Sequence, residues 1–462
     1  MRRGGFPPGN GHTPAATPLA VVGTGYVGLV VGACLARVGH AVTCVDVDAA
    51  RVAALRQGRM PCYEPRLEEV VREGLTAGCL GFATELEEAV ARCEVVFVTV
   101  GTPSGEDGAP DLSAVLAVAE GVARAVPRPC TLVLKSTVPV GTTARVQALV
   151  DGVARHRVTV VTNPEFLREG SAVHDFLHPA RVVVGARRAA EAAPLEALYR
   201  SVVGEAPLLV VDPESAELAK YAANALLAAR VSFMNEVAAL CGAVGADVEA
   251  VRRIVGLDPR IGQGYLAAGL GFGGSCLPKD LRALEALGRA VGVPLEVVPA
   301  LRRVNAAQPA RLCSRVLAHF GGSLQGRRLA VWGLAFKPHT DDVREAPALA
   351  LIRLLLEAGA EVAVYDPRAM DTARAVLGET VRYGADLYAV LEGADALVVA
   401  TEWPEFRGAD LARVRARLAR PVVFDGRNCL DPAALRARGL TWYGVGRAGD
   451  GVAAPALLPQ VG

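Results

Sequence analysis

Two short apolar runs with nearly the same residues lie near opposite ends of the chain and constrain its fold most strongly. Leu19–Gly23 reads LAVVG and Leu329–Gly333 reads LAVWG. Similar apolar runs follow each in the same order, with helical patterns between them: Val42–Asp46 and Val95–Thr99 after the first, and Val362–Asp366 and Leu397–Thr401 after the second. This alternation is typical of parallel sheets covered by helices on both faces. The sequence therefore predicts an α/β protein with two Rossmann-like, doubly wound domains.

A long helix is predicted between the two repeats. Asp212-Pro213-Glu214 offers a helix N-cap, a proline in the first turn and an early acid. No helix breaker follows until about Gly242, which predicts a central helix of roughly 30 residues. Helical patterns continue from Ala246 to about Phe320, and Gly321-Gly322-Ser323 is interpreted as a linker. We expect a disordered tail over 1–18, a first domain over 19–211, a helical domain over 212–322 and a C-terminal domain over 323–462.

Length, composition and net charge indicate which kind of molecule the protein binds. The chain has 462 residues, which is too many for one hydrophobic core, and 52% of them are hydrophobic. Lys+Arg 49 against Asp+Glu 48 gives a net charge of +1, so no overall field favours nucleic acid or an anionic membrane. The apolar stretch from Leu19 to Val47 is divided by glycines, Arg37 and His40, which favours strand, turn, helix and strand over a membrane span. We expect a cytoplasmic protein with a small-molecule partner, and neither nucleic-acid nor membrane binding.

The ten cysteines do not predict a metal or disulfide framework. No Cys-x-x-Cys pair occurs, so neither a zinc site nor a set of disulfides is expected. We expect most of these side chains to be buried and inert, and no metal centre.

The segment GTGYVG at Gly23–Gly28 predicts a dinucleotide site. Gly23, Gly25 and Gly28 lie between a predicted strand and a predicted helix, where they let the backbone approach a pyrophosphate; Tyr26 and Val27 belong to the same turn. Asp46 ends the second predicted strand, where a carboxylate binds ribose hydroxyls and repels a 2′-phosphate. NAD is therefore the favoured cofactor. Arg51 leaves NADP open, and a plain structural turn is the alternative to a cofactor site.

Lysine occurs only four times, at Lys135, Lys220, Lys279 and Lys337. Arginine fills the other basic positions, so a retained lysine suggests a need for a compact ammonium or for a base that can lose its proton. Lys220 and Asn224 are four residues apart and should share one helix face, with Glu217 one turn earlier. This polar stripe predicts a face turned to a cleft. A solvated face with a Glu217–Lys220 ion pair is the alternative.

The segment Phe272–Asp280, FGGSCLPKD, predicts a nucleophile. Its glycines allow a ligand to approach closely, and Pro278 is interpreted as part of the first turn of a helix that runs through Leu281 to Leu287. Cys276 then lies near a helix N-terminus, a position that favours the reactive thiolate. The alternative is a small buried cysteine like the other nine.

The combined motifs resemble the UDP-glucose/GDP-mannose dehydrogenase family from about Leu19 to Leu440. The resemblance rests on GTGYVG at 23–28, GTP at 101–103, KSTVPVGT at 135–142, NPEFLREG at 163–170, KYAAN at 220–224, FGGSCLPKD at 272–280 and the run from Gly333 to Glu345. It implies an NAD domain, a central helical domain that forms a homodimer, and a C-terminal domain that holds the nucleotide of a nucleotide sugar.

The resemblance also implies the reaction. An NAD-dependent enzyme of this family oxidises the sugar's primary alcohol to a carboxylate through a thiohemiacetal and a thioester on Cys276, and it uses two NAD per sugar because each NAD accepts one hydride. Lys220 would stabilise the developing oxyanion and Asn224 the reacting oxygen. Asp280, Glu165 and Thr137 would order or activate the hydrolytic water, with their individual roles undivided.

Binding residues are implied in the same way. The substrate site would comprise Glu165, Phe166, Leu167, Lys220, Asn224, Tyr265, Gly273, Phe336, Lys337 and Arg427, with Arg260 supplied by the partner subunit. The cofactor site would add Thr102, Thr137, Glu169, Lys279 and Arg344 to the residues of the glycine turn, Asp46 and Arg51.

Three other functions remain open. GDP-mannose is the alternative substrate within the family, but FDGRN at 424–428 resembles the enzymes that act on UDP-glucose, which we therefore favour. A hydroxyacid dehydrogenase that transfers one hydride needs a lysine but no nucleophilic cysteine. A non-catalytic NAD-sensing protein needs no set of Cys276, Lys220 and Asp280.

Overall fold

The computed structural model describes residues 17–447. Most of the predicted tail, residues 1–16, lies outside them, and Pro18 already belongs to the first strand. Contacts divide the chain into two compact units, one ending at Ala222 and the other beginning at Ala223. The three predicted domain boundaries remain predictions.

The first unit is a wound α/β domain. Its strands are β1 (Pro18–Val22), β2 (Ala41–Val45), β3 (Leu80–Ala83), β4 (Val95–Val98), β5 (Cys130–Leu134), β6 (Val158–Thr162), β7 (Val182–Gly185) and β8 (Leu208–Val211). Its helices are α1 (Tyr26–Arg37), α2 (Ala49–Arg56), α3 (Leu67–Thr76), α4 (Leu86–Val90), α5 (Ser113–Ala125), α6 (Thr142–Val153), α7 (Ala172–Leu177), α8 (Ala189–Val203) and the first part of α9 (Pro213–Val244).

The sheet order positions the predicted cofactor turn. The strands follow the order β3-β2-β1-β4-β5-β6-β7-β8, and the first six are parallel. Successive strands are added in one direction along the sheet from β1 to β3 and in the opposite direction from β4 onward. In open α/β sheets, ligands bind beyond the carboxyl ends of the strands at the point where this order reverses, here between β1 and β4. The turn after β1 begins at Gly23, so the predicted glycine turn lies where a dinucleotide is expected.

Alternate side chains of the strands enter two cores. Leu19 and Val21 of β1 belong to the cluster that α1, α3 and α8 cover, whereas Ala20 and Val22 belong to the cluster that α5 and α6 cover. Because helices bury both faces, the strands have no polar side, which explains their continuous apolar sequence.

The second unit contains the rest of α9 and a second wound sheet. Its further helices are α10 (Val248–Gly256), α11 (Leu277–Ala290), α12 (Val297–Ala306), α13 (Gln308–His319), α14 (Pro347–Glu357), α15 (Met370–Leu377), α16 (Pro404–Arg407), α17 (Leu411–Arg417) and α18 (Pro432–Arg436). Its strands are β9 (Arg328–Trp332), β10 (Glu361–Tyr365), β11 (Arg382–Tyr383), β12 (Ala396–Val399), β13 (Val422–Asp425) and β14 (Thr441–Gly444), in the parallel order β11-β10-β9-β12-β13-β14. Two Rossmann-like sheets and a long central helix are thus confirmed.

Two local predictions need correction. The first sheet is not wholly parallel, because β7 runs antiparallel to β6 and then pairs in parallel with β8. The helical pattern predicted from Ala246 to Phe320 is interrupted, since no helix forms between Gly256 and Leu277. That stretch is rich in glycine, including Gly262 and Gly271 with positive φ, and each glycine costs a helix about 1 kcal/mol.

Helix α9 extends over 32 residues, close to the predicted length. By length and composition alone it is apolar enough to cross a membrane. A single such helix is weak evidence, because the core helix of a soluble protein passes the same test. The apolar stretch from Leu19 to Val47 folds as β1, α1 and β2, as predicted.

Candidate active site

The glycine turn of the first unit is shaped for close backbone approach. Gly23 has φ +103°, and a Cβ on Gly28 would lie 1.9 Å from the Gly23 carbonyl oxygen. By contrast, a Cβ on Gly25, the N-cap of α1, would meet no atom within 4 Å. Two glycines therefore allow the turn to form, and the third leaves open space at the N-terminus of α1, where a phosphate group binds favourably.

Asp46 is fixed by the same turn. Its Oδ2 accepts hydrogen bonds from the backbone N (2.8 Å) and the hydroxyl (2.6 Å) of Thr24, and its Oδ1 accepts one from the backbone N of Asp48 (3.0 Å). Burial opposes ionisation, but these hydrogen bonds and Arg51 hold the pKa of Asp46 below its ordinary value. Arg51 lies 3.2 Å from Asp46, so its guanidinium is already engaged by a carboxylate. This geometry favours NAD over NADP.

Tyr26 ties the glycine turn to the NPEFLREG loop. Its hydroxyl donates to Glu64 Oε2, which also accepts from the backbone N of Gly170 at 2.6 Å, and Glu64 Oε1 accepts from the backbone N of Ala172 at 2.8 Å. Val27 packs against the core on α1. Glu64 is a functional candidate that the sequence did not reveal, because two of its partners, Gly170 and Ala172, lie more than 100 residues away in the sequence.

Glu165 and Lys220 form a buried ion pair. Lys220 Nζ lies 2.8 Å from Glu165 Oε1, and the backbone N of Leu167 donates to Glu165 Oε2 at 2.6 Å. The two side chains are only 5% and 6% exposed. Burial raises the pKa of Glu165, but Lys220 and the Leu167 hydrogen bond outweigh burial and hold that pKa below its ordinary value. The carboxylate therefore stabilises the fold at neutral pH, and this contribution is lost as the pH falls through its folded-state pKa.

Several aromatic and loop residues of the first unit are also predicted site residues. The Lys220 ammonium lies 5.5 Å from the centroid of the Phe166 ring, which Arg181 covers on a face at 3.7 Å. Leu167 packs against the core. The Thr102 hydroxyl donates to the Thr137 carbonyl oxygen at 2.9 Å, which joins two of the predicted cofactor residues. Glu169 lies close enough to Tyr26 to affect its ionisation.

Glu217 has a structural partner instead of Lys220. Its carboxylate accepts from the backbone N of Gly141 (2.7 Å), and from the backbone N (2.8 Å) and hydroxyl (2.7 Å) of Thr143. These groups lie at the N-terminus of α6, where a carboxylate stabilises the unpaired N–H groups. The alternative of a solvated Glu217–Lys220 pair is therefore wrong.

In the second unit, Cys276 is the N-cap of α11, and Pro278 lies in the first turn as predicted. The helix begins at Leu277 and continues to Ala290, so it is longer than the sequence indicated. Cys276 is partly buried, and its Sγ lies 3.5 Å from the Ser275 hydroxyl. Six of the other nine cysteines are buried, whereas the Cys276 thiol is only partly buried.

Asp280 joins Asn224 to the Cys276 helix. It lies one turn after Cys276, is 1% exposed, and accepts hydrogen bonds from Asn224 Nδ2 (2.6 Å) and Lys279 Nζ (2.7 Å). Lys220 precedes Asn224 by one turn on the continuous helix α9. The polar face predicted on this helix is therefore present, and Asn224 links it to Asp280.

The glycines before Cys276 meet protein atoms, which refines their predicted role. A Cβ on Gly273 would lie 2.3 Å from the Glu345 carbonyl oxygen, and one on Gly274 would lie 2.7 Å from the Phe336 ring. Gly274 also has φ +82° and donates its N–H to the Arg344 carbonyl oxygen at 2.8 Å. The glycines thus let the cysteine loop pack closely against the segment 336–345.

Arg427 clamps three segments of the same unit. Its guanidinium donates to the carbonyl oxygens of Ala400 (2.8 Å), Gly271 (2.8 Å) and Phe336 (3.3 Å). Lys337 lies beside Phe336, with its ammonium 5.3 Å from the ring centroid. The cysteine loop, Phe336, Lys337 and Arg427 are therefore brought together within the second unit.

Three other predicted residues are more exposed. Arg260 pairs with Asp258 at 2.6 Å while its side chain is 88% exposed, and Tyr265 is 38% exposed with φ +60°. Arg344 pairs with Asp342 at 2.7 Å. The chain itself does not enclose Arg260 in a site.

The second sheet repeats the strand order but not the cofactor turn. Gly333 has φ +98°, like Gly23, but the next helix starts only at Pro347. Asp366, the counterpart of Asp46, is 1% exposed and accepts from the backbone N of Leu334 (2.8 Å) and from Trp403 Nε1 (3.0 Å). This carboxylate has no access to a ribose, which fits a ligand other than NAD.

Metal ligation has no candidate cluster in residues 17–447. No group of three or more His, Cys, Asp and Glu side chains there is arranged to hold an ion.

Comparisons with known proteins assign three consecutive segments to one family. The UDP-glucose/GDP-mannose dehydrogenase family models match residues 17–203 with the NAD binding domain, 214–307 with the central domain and 330–432 with the UDP binding domain.

Individual relatives agree over almost the whole chain. The UDP-glucose 6-dehydrogenase of Pseudomonas aeruginosa is 46% identical over 440 residues, which are 93% of this chain and 97% of the relative. The UDP-glucose 6-dehydrogenase TuaD of Bacillus subtilis is 42% identical over 93% of each chain. The solved UDP-glucose dehydrogenase structure from Pyrobaculum islandicum is 44% identical, has a TM-score of 0.87, and covers 96% of this chain and all of that one (100%). The chain therefore belongs to the UDP-glucose/GDP-mannose dehydrogenase family and has its NAD-binding, central and UDP-binding domains.

Proposed function

We propose that this protein oxidises the primary alcohol of UDP-glucose to a carboxylate, releases UDP-glucuronate, and uses two NAD per sugar. The observation that carries the proposal is the set of groups along α9: the buried Lys220–Glu165 pair, and one turn later Asn224, bonded to Asp280 beside Cys276. A sensing protein that binds NAD has no need of this set. The names of the relatives support UDP-glucose as the sugar nucleotide.

The glycine turn fits NAD. Open space at Gly25 accommodates a pyrophosphate, and Asp46 is held ionised at the end of β2. When bound, NAD accepts one hydride, so taking an alcohol to a carboxylate requires two molecules. Thr102, Thr137, Glu169, Lys279 and Arg344 are proposed as further cofactor contacts.

Cys276 retains the intermediate after the first oxidation. Once the alcohol carbon has lost a hydride and its hydroxyl a proton, the carbon is an aldehyde that the Cys276 thiolate attacks. The new C–S bond and one proton taken up by oxygen give a thiohemiacetal. Loss of a second hydride from carbon and of that proton gives a thioester, and water then displaces the thiolate as the C–S bond breaks. A covalent hold keeps the aldehyde from escaping, and hydrolysis of the thioester makes the last step effectively irreversible.

Lys220 supplies positive charge where negative charge develops on oxygen. An ammonium in a water-poor position stabilises an oxyanion far more strongly than it would in bulk water. Its pairing with Glu165 holds the ammonium in one place before substrate arrives. Asn224 is proposed to contact the same oxygen. Asp280, Glu165 and Thr137 order or activate the hydrolytic water, with ionised Glu165 able to accept a proton from it.

The second Rossmann-like sheet is proposed to bind the nucleotide. Phe336 and Lys337 follow β9 at the point where the strand order reverses, and Arg427 follows β13 nearby. Lys337 offers an ammonium to a diphosphate. Because the Asp366 carboxylate is buried, it is not accessible to the ribose of NAD, and this supports a different ligand at this turn.

A substrate panel tests the proposal. With NAD and purified protein, UDP-glucose is expected to give the highest kcat/KM for NADH formation among UDP-glucose, GDP-mannose and UDP-N-acetylmannosamine, and mass spectrometry should identify UDP-glucuronate. A higher kcat/KM for either of the other sugar nucleotides would contradict the assignment of the substrate.

The functional unit is proposed to be a homodimer formed through α9 and α10. Leu226 (66% exposed), Phe233 (59%) and Leu240 (62%) are seven residues apart on α9, and Ile254 (70%) on α10 and Leu257 (76%) directly after α10 are further exposed apolar side chains. A heptad stripe of large apolar side chains is typical of helices that pack against another helix, and a two-fold axis lets one stripe meet its own copy. Arg260 lies three residues after Leu257 and its side chain is 88% exposed, which supports its role in the partner's substrate site.

Mixed dimers test the shared site. Arg260→Ala and Cys276→Ser chains are each expected to be nearly inactive alone. After random exchange, half the dimers are mixed and each has one intact site, so activity should recover to about a quarter of the wild-type value. The fraction of mixed dimers is measured by mass spectrometry of differently tagged chains. Mixed dimers that form without any recovery would place Arg260 in its own subunit's site.

A further inference from the structure

Lys135 is the one lysine of the four that the proposed reaction does not use. It follows β5 directly and is 4% exposed. Its ammonium donates to Asn163 Oδ1 at 2.9 Å and lies 3.3 Å from the Asn163 carbonyl oxygen. A buried ammonium is costly unless it is paired, so its presence here requires an account.

Asn163 connects Lys135 to the NPEFLREG loop, which contains Glu165. It follows β6 directly and precedes Glu165 by two residues. Its Oδ1 also accepts from the Tyr199 hydroxyl at 2.7 Å, and its Nδ2 donates to the Val183 carbonyl oxygen at 2.7 Å. Both ends of the amide are therefore fixed, and the backbone that leads into Glu165 starts from a rigid point.

Lys135 also interacts electrostatically with Glu165 and Lys220. Three titratable groups face Lys135 in the part of the chain that the structure describes: Glu165 on the loop after β6, Lys220 on α9 and Tyr199 on α8. Burial lowers the pKa of Lys135 to about 7, with Glu165 opposing this shift and Lys220 adding to it. Burial raises the pKa of Tyr199, which therefore stays a neutral donor. The Lys135 charge in turn contributes to the low pKa of Glu165.

We propose that Lys135 is a positioning residue for the oxidation: its buried ammonium anchors Asn163, and its charge keeps the nearby Glu165 carboxylate ionised beside Lys220. The inference rests on the proposed function, in which Glu165 and Lys220 act on the substrate. Arginine is no substitute, because the site holds a compact ammonium between one amide and one aromatic ring.

Titration of Lys135 tests the electrostatic link without turnover. With only four lysines, isotope-labelled lysine side chains give few NMR signals, and the one that Lys135→Met removes is assigned. Its midpoint is expected near pH 7. Glu165→Gln removes an attractive charge and should move the midpoint to lower pH, whereas Lys220→Met removes a repulsive charge and should move it to higher pH. Tyr199→Phe changes no charge and is the matched control. A midpoint in the ordinary lysine range, near 10, or no response to either charge change would overturn the proposal.

Kinetics of Lys135→Met test the role in the reaction. Loss of the ammonium should raise the pKa of Glu165, so the acid limb of the kcat profile moves to higher pH, and kcat at pH 6 falls about tenfold while KM changes little. The folded protein binds Lys135's proton more weakly than the unfolded chain does, so the ammonium costs stability below its unfolded pKa. The variant should therefore melt at a higher temperature at pH 6, whereas the displaced acid limb of the kcat profile is the readout that a merely structural lysine would not give.

A second variant and the wild type keep the outcomes distinct. Lys135→Gln retains a donor without the charge and should show the same displaced acid limb if Lys135→Met folds poorly. An unmoved acid limb in a folded variant would overturn the positioning role. If the Lys135 midpoint shifts as expected in the Glu165→Gln and Lys220→Met variants, but the wild-type protein does not oxidise UDP-glucose, the proposed function would be overturned instead.

Discussion

Lys220→Met is expected to lower kcat for UDP-glucose about a thousandfold, because the developing oxyanion loses its positive partner. Steady-state NADH formation at saturating NAD measures this effect. The same change leaves the buried Glu165 carboxylate unpaired, so the free energy of unfolding should fall by about 3–5 kcal/mol. Loss of activity alone is therefore ambiguous between chemistry and folding.

The double variant Lys220→Met/Glu165→Gln separates the two effects. It removes both charges, so most of the lost stability should return, since a neutral buried pair carries no uncompensated charge. Activity should stay as low as in Lys220→Met. A double variant that regained both stability and turnover would show that the pair is structural, and that Lys220 does not stabilise the oxyanion.

Cys276→Ser should abolish net oxidation to the acid, with kcat lowered about ten-thousandfold or more, because a serine hydroxyl is a far weaker nucleophile than a thiolate. A covalent ester between the sugar nucleotide and Ser at this position is expected to persist, because it hydrolyses slowly, and intact-protein mass spectrometry should detect its added mass. Near-normal turnover in the variant would exclude covalent catalysis at Cys276.

Cys79→Ser is the matched control for this substitution. Cys79 is also partly buried, but it lies after α3, and its thiol donates a hydrogen bond to the Ala77 carbonyl oxygen at 3.7 Å. Its replacement should leave kcat and the melting temperature close to those of the wild type. A comparable loss of activity in both serine variants would assign the effect to thiol loss in general.

Local signals predicted the elements that hold the site. The cap and proline at Asp212-Pro213 and the absence of a breaker predicted α9, which runs from Pro213 to Val244. Pro278 after Cys276 predicted the start of α11. Both inferences depend on residues within one or two helical turns, where backbone preference decides the outcome.

Contacts between residues far apart in the chain could not be predicted from the sequence. The antiparallel direction of β7 depends on how the chain returns after the NPEFLREG loop, and a four-residue apolar run contains no information about direction. A Glu217–Lys220 ion pair was the alternative interpretation of this helix face, but Glu217 instead caps α6, whose N-terminus is more than 70 residues away in sequence. Lys135 was noticed for its rarity, yet its partners Asn163 and Tyr199 appear only when β5, β6 and α8 pack together.

The ratio of NADH formed to UDP-glucose consumed tests the central claim most directly. With limiting UDP-glucose, excess NAD and complete conversion, the covalent route through Cys276 predicts two NADH per sugar and UDP-glucuronate as the product, with no aldehyde captured by an added amine trap. One NADH per sugar, with the aldehyde accumulating in the trap, would contradict the four-electron oxidation and the thioester on Cys276.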